Sequence, residues 1–247
     1  DSVINVSGGA VTYTEAMVNP SVLVGADGRR YTLNNAPKDM RYTRIGGQGG
    51  GKYDRWGPVV QYTASRARRE AGYVEGQSAG KVKIYAPTTV LDGKLVSQTI
   101  IGERQTSGQD ALASRGSLQI GAPASGGAFG SSSFANAVVQ DLIIAAGRSG
   151  LDANFWGSPL NSALPAQGRI AAEILNASGF GSIEMVANGG IVQEEGADLK
   201  LGDKTRLLIG ATGEAGITLG GNISTTGGSV TIQTPANRES GGRGLSI

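Results

Sequence analysis

The chain has 247 residues, no cysteine, no histidine and a formal net charge of +2. Those absences exclude a disulfide framework, a thiolate metal site and a Ser-His-Asp triad, leaving oxygen donors as the only metal ligands. Glycine, at 41 residues, is far above its usual share of about 7% yet lacks the period of collagen, so the chain is expected to turn sharply and often.

At the N-terminus Val3-Ile4-Asn5-Val6, Ala10-Val11-Thr12-Tyr13 and Ser21-Val22-Leu23-Val24 read as strands, the last running into a Gly25-Ala-Asp-Gly28 turn. From Tyr31 to Tyr73 the aliphatic alternation fades, which marks an insertion, taken as residues 29–73. Within it Gly46 to Gly51 is a glycine loop, and Ala64 to Ala71 (ASRARREA) is the best helix candidate, because Ala, Arg and Glu favour helix. Charge is concentrated here: Asp27 to Tyr73 holds ten basic residues against four acidic, together with five of the seven tyrosines and Trp56.

From Gly80 the strand pattern resumes with Lys81 to Tyr85, Thr88 to Leu91, an Asp92-Gly93 turn and Lys94 to Ile101, lengths that suit one coil of three short strands. Further strands are expected at Ser117–Ile120, Asp141–Ala145, Ala172–Leu175, Gly190–Gln193, Asp198–Leu201 and Gly216–Leu219. Two long excursions, residues 121–136 and 149–167, read as loops, and residues 235–247 as a flexible tail. Near the C-terminus three stretches, Ser182-Ile-Glu-Met-Val186, Thr205-Arg-Leu-Leu-Ile209 and Gly228-Ser-Val-Thr-Ile232, begin 23 residues apart each time. A constant period of that length predicts successive coils stacked on one another, with Ile183, Leu207 and Val230 forming an inward ladder. The expected domain is therefore a single β-solenoid over residues 1–234. With rungs about 4.8 Å apart, eight or nine coils would make a rod about 40 Å long. No amphipathic helix is evident to cover either end, so the coil is expected to continue in a longer parent or to stack on another copy.

The segment Ala71-Gly-Tyr-Val-Glu-Gly-Gln-Ser-Ala-Gly-Lys-Val-Lys-Ile-Tyr-Ala-Pro-Thr-Thr-Val-Leu-Asp-Gly-Lys-Leu95 resembles the large filamentous haemagglutinin-like exoproteins of Gram-negative two-partner secretion, and the likeness in style runs over much of residues 72–234. It implies an all-β, right-handed parallel β-helix, export through an outer-membrane partner protein, and a place in an adhesin stalk at the bacterial cell surface. It carries over no catalytic residue. The Asn-Pro-Asn-type secretion signature expected near the start of such exoproteins is missing, which implies an interior or C-terminal portion.

Several motifs invite a chemical reading. Gly76-Gln-Ser78-Ala-Gly80 fits the nucleophile elbow, but with no histidine it reads as a turn between strands. Gly46 to Gly51 followed by Lys52 has P-loop spacing, yet Tyr53 stands where the magnesium-binding Ser or Thr belongs. Glu194, Glu195, Asp198 and Asp203 are close in sequence without EF-hand or calcium-coil spacing, so no metal or other cofactor is expected. Carboxylates for sugar hydrolysis (Glu70, Glu75, Glu103, Asp110) are available, with nothing to single out a pair.

The basic, aromatic segment is the strongest site candidate. Tyr42, Tyr53 and Trp56 can stack on sugar rings, while Arg41, Arg44 and Arg55 can grip carboxylate or phosphate groups, so an anionic glycan or a host or bacterial surface is the expected contact and nucleic acid a lesser one. The blander account is an arm whose aromatics pack on the solenoid. The sequence thus points to a secreted structural or adhesive element without enzymatic activity. A glycan-active β-helix lyase or hydrolase and a self-assembling filament subunit stand as alternatives.

Overall fold

The computed structural model describes residues 2–18, 21–33, 35–46, 67–86, 88–121, 141–148, 167–234 and 245–246. The described chain is all-β apart from two short helices. Its N-terminal strands are β1 (Val3–Asn5), β2 (Ala10–Tyr13), β3 (Ala16–Val18), β4 (Val22–Gly25), β5 (Arg30–Thr32), β6 (Tyr42–Gly46), β7 (Arg68–Glu70) and β8 (Tyr73–Gly76). There follow β9 (Lys81–Ile84), β10 (Thr89–Leu91), β11 (Lys94–Val96), helix α1 (Glu103–Thr106), β12 (Ser117–Ile120), β13 (Asp141–Ala145), β14 (Gln167–Ala171) and helix α2 (Ala172–Ala177). The last strands are β15 (Ser182–Ala187), β16 (Ile191–Gln193), β17 (Leu199–Leu201), β18 (Arg206–Ala211), β19 (Ile217–Leu219), β20 (Ile223–Thr225), β21 (Ser229–Gln233) and β22 (Leu245–Ser246). The chain forms two compact units. Unit 1 comprises residues 1–9, 76–100 and 113–247, and unit 2 residues 10–75 and 101–112.

Unit 1 is built from parallel sheets. One runs in sequence order, β9-β12-β15-β18-β21. Its register sets Val82, Leu118, Ile183, Leu207 and Val230 side by side, and likewise Ile84, Ile120, Met185, Ile209 and Ile232. Alternation along each strand sends these two columns inward and the intervening Lys81, Lys83, Gln119 and Glu184 outward. The inner members of the columns are sealed from solvent, and burying each contributes roughly 1.5–3 kcal/mol. The expected ladder of Ile183, Leu207 and Val230 is present, with one refinement. Ile183 pairs with Leu207 at an offset of 24 and Leu207 with Val230 at 23, so the constant 23 of the sequence strings conceals a one-residue difference absorbed between strands.

The second sheet is ordered β10-β14-β13-β16-β19-β22. Here β14 lies between β10 and β13 although it follows β13 in the chain, so this stretch reverses the order that simple successive stacking would give. Leu142, Ile191 and Ile217 continue one inward column, and Ile144 and Leu219 another in which Gln193 takes the middle place. Buried Gln193 donates from Nε2 to the carbonyl of Ala197 at 2.7 Å. The tail read as loosely ordered contributes β22, which pairs with β19.

Unit 1 also carries the parallel pairs β1-β11 and β17-β20, with α2 in contact with both β11 and β17. The Ser97 N–H donates to the Ser178 carbonyl (2.7 Å), Asn176 Nδ2 to the Asp198 carbonyl (2.8 Å), and the Lys200 N–H to Asn176 Oδ1 (2.8 Å). The helix thus takes a strand's place. Ala172–Leu175 was expected to be a strand; it opens α2 instead, directly after β14. Adjacent Ile174 and Leu175 are both buried, which a helix face allows and the period-2 alternation of a half-buried strand does not.

Unit 2 is antiparallel. β4 is the central strand of the sheet β5-β4-β6, while β2 pairs with β8 and β3 with β7. The helix expected over Ala64 to Ala71 is corrected where it is described: Arg68–Glu70 is a strand, with Ala16 opposite Glu70 and Val18 opposite Arg68. Helix preferences differ by no more than about 0.7 kcal/mol per ordinary residue, the same scale as a cross-strand pair, so a strand partner can override them. The ion pairs of Arg69 with Glu15, the residue before β3, and of Arg68 with Glu70, two residues on along β7, fit the extended form. Of the two loops expected at 121–136 and 149–167, residues 122–136 and 149–166 lie outside the described residues.

Candidate functional site

The sheet β5-β4-β6 carries the sequence-predicted residues that are described. Opposite residues in an antiparallel pair share a face. Leu23 pairs with both Tyr31 and Ile45, while Val24 pairs with both Arg30 and Arg44. Between Val24 and Gly25 the register shifts: Val24 faces Arg44, but Gly25 faces Tyr42, leaving Thr43 as the extra residue of a β-bulge. The bulge resets the alternation, so Tyr42 joins the Leu23 and Tyr31 face. Its ring meets Tyr31 edge-on at 5.9 Å between centroids, and its hydroxyl donates to the Pro37 carbonyl at 2.6 Å. Burial, foremost, and then the charges of Asp39 and Asp27 raise the Tyr42 pKa. Tyr31 donates its hydroxyl to Asp27 Oδ2 at 2.7 Å, a bond that raises the tyrosine pKa and lowers that of the carboxyl, with the Arg29 N–H helping to hold the carboxylate.

The opposite face is cationic. Arg30 and Arg44 flank Val24, and two strand spacings put their Cα atoms about 10 Å apart. Both are exposed and neither forms an ion pair with a described residue. Exposed Arg41 precedes β6, its carbonyl accepting from the Ala26 N–H at 3.2 Å. Tyr53, Arg55 and Trp56 lie outside the described residues, as do Lys52 and the remainder of the Gly46 to Gly51 loop beyond Gly46. The structure thus separates Tyr42 from Arg44, which the sequence had grouped, and adds Arg30. The signal for Arg30 was present: pairing outward from the Gly25-Ala-Asp-Gly28 turn sets Arg30 against Val24.

A second cluster in unit 2 had no sequence signal. Tyr13 on β2 and Tyr73 on β8 stack at 4.6 Å between centroids, 17° from parallel. The Arg104 guanidinium of α1 lies 4.1 Å from the Tyr73 centroid. Its Nε is 3.2 Å from Asp110 Oδ2, close enough for an ion pair though off the line of a hydrogen bond. The charge of Glu75, foremost, and a hydrogen bond to the same carboxylate raise the Tyr13 pKa.

Three of the remaining candidates, Ser78, Glu194 and Asp198, are bonded within unit 1 or to its neighbouring turns. Ser78 sits in the turn between β8 and β9, and its Oγ accepts from the Ser114 N–H at 2.9 Å. Glu194 pairs with Arg169 (2.8 Å) and accepts from the Ala146 N–H (3.0 Å), which together lower its pKa, the arginine bond foremost. Asp198 accepts from the backbone N–H (2.9 Å) and Nδ2 (3.1 Å) of Asn222, and its pKa is lowered by both, the backbone bond foremost. In unit 1 an open cleft of about 260 Å³ lies where α2 stands beside β11, lined by Lys94, Leu95, Arg148, Glu173 and Ile174. Arg148 is held there by Glu173 (2.5 Å) and the Asp92 carbonyl (3.2 Å). Among the described residues no acidic group of three or more is arranged to hold a metal ion, and no helix is long and apolar enough to cross a membrane.

No protein-family model, curated protein or solved structure matches the chain.

Proposed function

We propose that the chain is a structural and adhesive segment of a secreted bacterial surface exoprotein, with unit 1 a right-handed parallel β-helix serving as stalk or fibre element and the Arg30–Arg44 face of unit 2 contacting an anionic glycan. The observation that carries the scaffold reading is the five-strand parallel sheet, whose two inward columns stay in register from Val82 to Val230 and from Ile84 to Ile232. Stability in such an arrangement accumulates between neighbouring strands, and no catalytic group is needed for it. The resemblance of residues 71–95 to filamentous haemagglutinin-like exoproteins supports export through an outer-membrane partner.

The glycan reading rests on two exposed arginines whose Cα atoms are about 10 Å apart and which have no acidic partner among the described residues, so that both can grip charges along one extended polymer. The test is binding of the full chain to immobilised polygalacturonate beside an uncharged glucan. Salt-sensitive retention on the acidic polymer alone, lost in an Arg30→Ser, Arg44→Ser variant, is the expected result; equal retention of the variant removes the proposal. Hydrogen exchange tests the stacked sheet separately: amides of β12, β15 and β18 should exchange more slowly than those of the outermost β9 and β21, and uniform exchange would remove the stalk reading.

A further inference from the structure

The Tyr13–Tyr73–Arg104 cluster has a direction. Tyr13 and the Arg104 guanidinium lie 4.6 Å and 4.1 Å from the same ring centroid, and one ring face has no room for both at that distance. They therefore occupy opposite faces of Tyr73, giving the order Tyr13, Tyr73, Arg104, with Asp110 beside the guanidinium. The inner end of the stack is a completed cation site: an aromatic face, a guanidinium over it, and a carboxylate to balance the charge.

The outer end repeats two of these three parts. Tyr13 keeps one ring face turned away from Tyr73 and is 42% exposed. Glu75 follows Tyr73 by two residues on β8, on the same side of that strand, near enough for its charge to raise the Tyr13 pKa. Glu75 is half-buried and has no ion-pair partner among the described residues. A ring face and a carboxylate are thus in place, and the cation that completes the inner end has no counterpart among the described residues.

We propose that the outer face of Tyr13, with Glu75 at its edge, is a binding site for a guanidinium or ammonium cation. The site is chemically opposite to the Arg30–Arg44 face and does not depend on it. A neutral sugar would use the ring but not the charge of Glu75, and an anion would be repelled by it, so the pairing selects for positive charge. The stack is pre-organised: Tyr73 is clamped between Tyr13 and Arg104, so little ordering accompanies binding.

The experiment uses the full chain with ring-labelled tyrosine, followed by NMR. Acetyl-arginine methylamide should shift the Tyr13 ring signals saturably, and the neutral acetyl-citrulline methylamide, of almost the same shape, should not. Glu75→Gln keeps the side-chain volume and should weaken arginine binding about fivefold, the scale of a partly exposed cation–π and charge contact. Unchanged Tyr73 signals would show that the stack survives the substitution; if they move, the dependence of wild-type binding on added salt replaces the variant, with weakening by salt expected. A peptide Gly-Ser-Arg-Ser-Gly binding more tightly than the single residue assigns the cation to a partner protein's side chain, and equal affinity assigns it to a free organic cation. Equal shifts with citrulline, undiminished binding by a correctly folded Glu75→Gln chain, or indifference to salt would overturn the proposal.

Discussion

Tyr42 and Arg44, with one residue between them, stand on opposite faces of the sheet β5-β4-β6, because the bulge at Thr43 breaks the alternation that would have put them together. On one face Tyr31 and Tyr42 meet edge to face, and on the other Arg30 and Arg44 are exposed.

That separation predicts unequal effects on polyanion binding. Arg44→Gln should weaken retention on polygalacturonate about fivefold and reduce the steepness of its salt dependence by about one released counterion. Tyr42→Leu, which acts on the far face, should leave the salt dependence unchanged. Measuring retention of both variants across a salt series decides it, and an equal loss in Tyr42→Leu would place the contact on the wrong face.

The inward columns of unit 1 predict a gradient of sensitivity. Leu207 is fully buried between Ile183 and Val230, so Leu207→Ala should cost about 2–5 kcal/mol, transfer and cavity together. Val230, in the same column but 42% exposed, should cost about 1 kcal/mol or less when shortened to Ala. Urea unfolding of the two variants against the parent gives both figures, and equal losses would mean that the column is not graded in this way.

What could be read from the sequence was whatever depends on neighbours two residues apart. Val82 and Ile84 alternate with lysines, and Ile183, Leu207 and Val230 recur at nearly constant spacing, so the strands and their inward residues were legible. What depends on partners far along the chain was not. Arg68–Glu70 has helical composition and becomes a strand because Ala16–Val18 lies opposite; Ala172–Leu175 has strand-like aliphatics and becomes a helix that replaces a strand between β11 and β17. The site shows the same divide. The cationic character of residues 27–73 was visible in composition, whereas the bulge that parts Tyr42 from Arg44, and the stacking of Tyr13 on Tyr73, are products of pairing.

Two carboxylates make unit 1 sensitive to acid. Glu194, held by Arg169 and the Ala146 N–H, and Asp198, held by Asn222, both have folded-state pKa values below their ordinary ones. A depressed pKa contributes stability that is complete above the unfolded-state pKa and is lost as pH falls through the folded-state value. Unit 1 should therefore keep its full stability at neutral pH and lose it progressively below the ordinary carboxylate range. Glu194→Gln with Asp198→Asn should flatten that acid limb. Melting temperature recorded against pH for parent and variant is the measurement, and an unchanged slope would exclude these two groups as its source.

Gly121 and Gly196 separate two reasons for a glycine. Both have positive φ, 79° and 76°, a conformation that costs an L-residue roughly 1–2 kcal/mol. At Gly196 an added Cβ would meet nothing within 4 Å, so Gly196→Ala should cost that conformational term alone, about 1 kcal/mol. At Gly121 the same carbon would lie 1.9 Å from the Val186 carbonyl oxygen, a backbone atom of β15 that a side-chain rotation cannot clear. Gly121 also donates its N–H to Ile84 at 2.9 Å, which fixes it against β9. Gly121→Ala should therefore disturb the strands on either side of β12 together and cost about 3 kcal/mol or more, the strain added to the clash. Equilibrium unfolding of the two alanine variants should show at least a twofold difference in lost stability, and matching losses would mean that Gly121 is needed for its backbone angle and not for the close approach of β15.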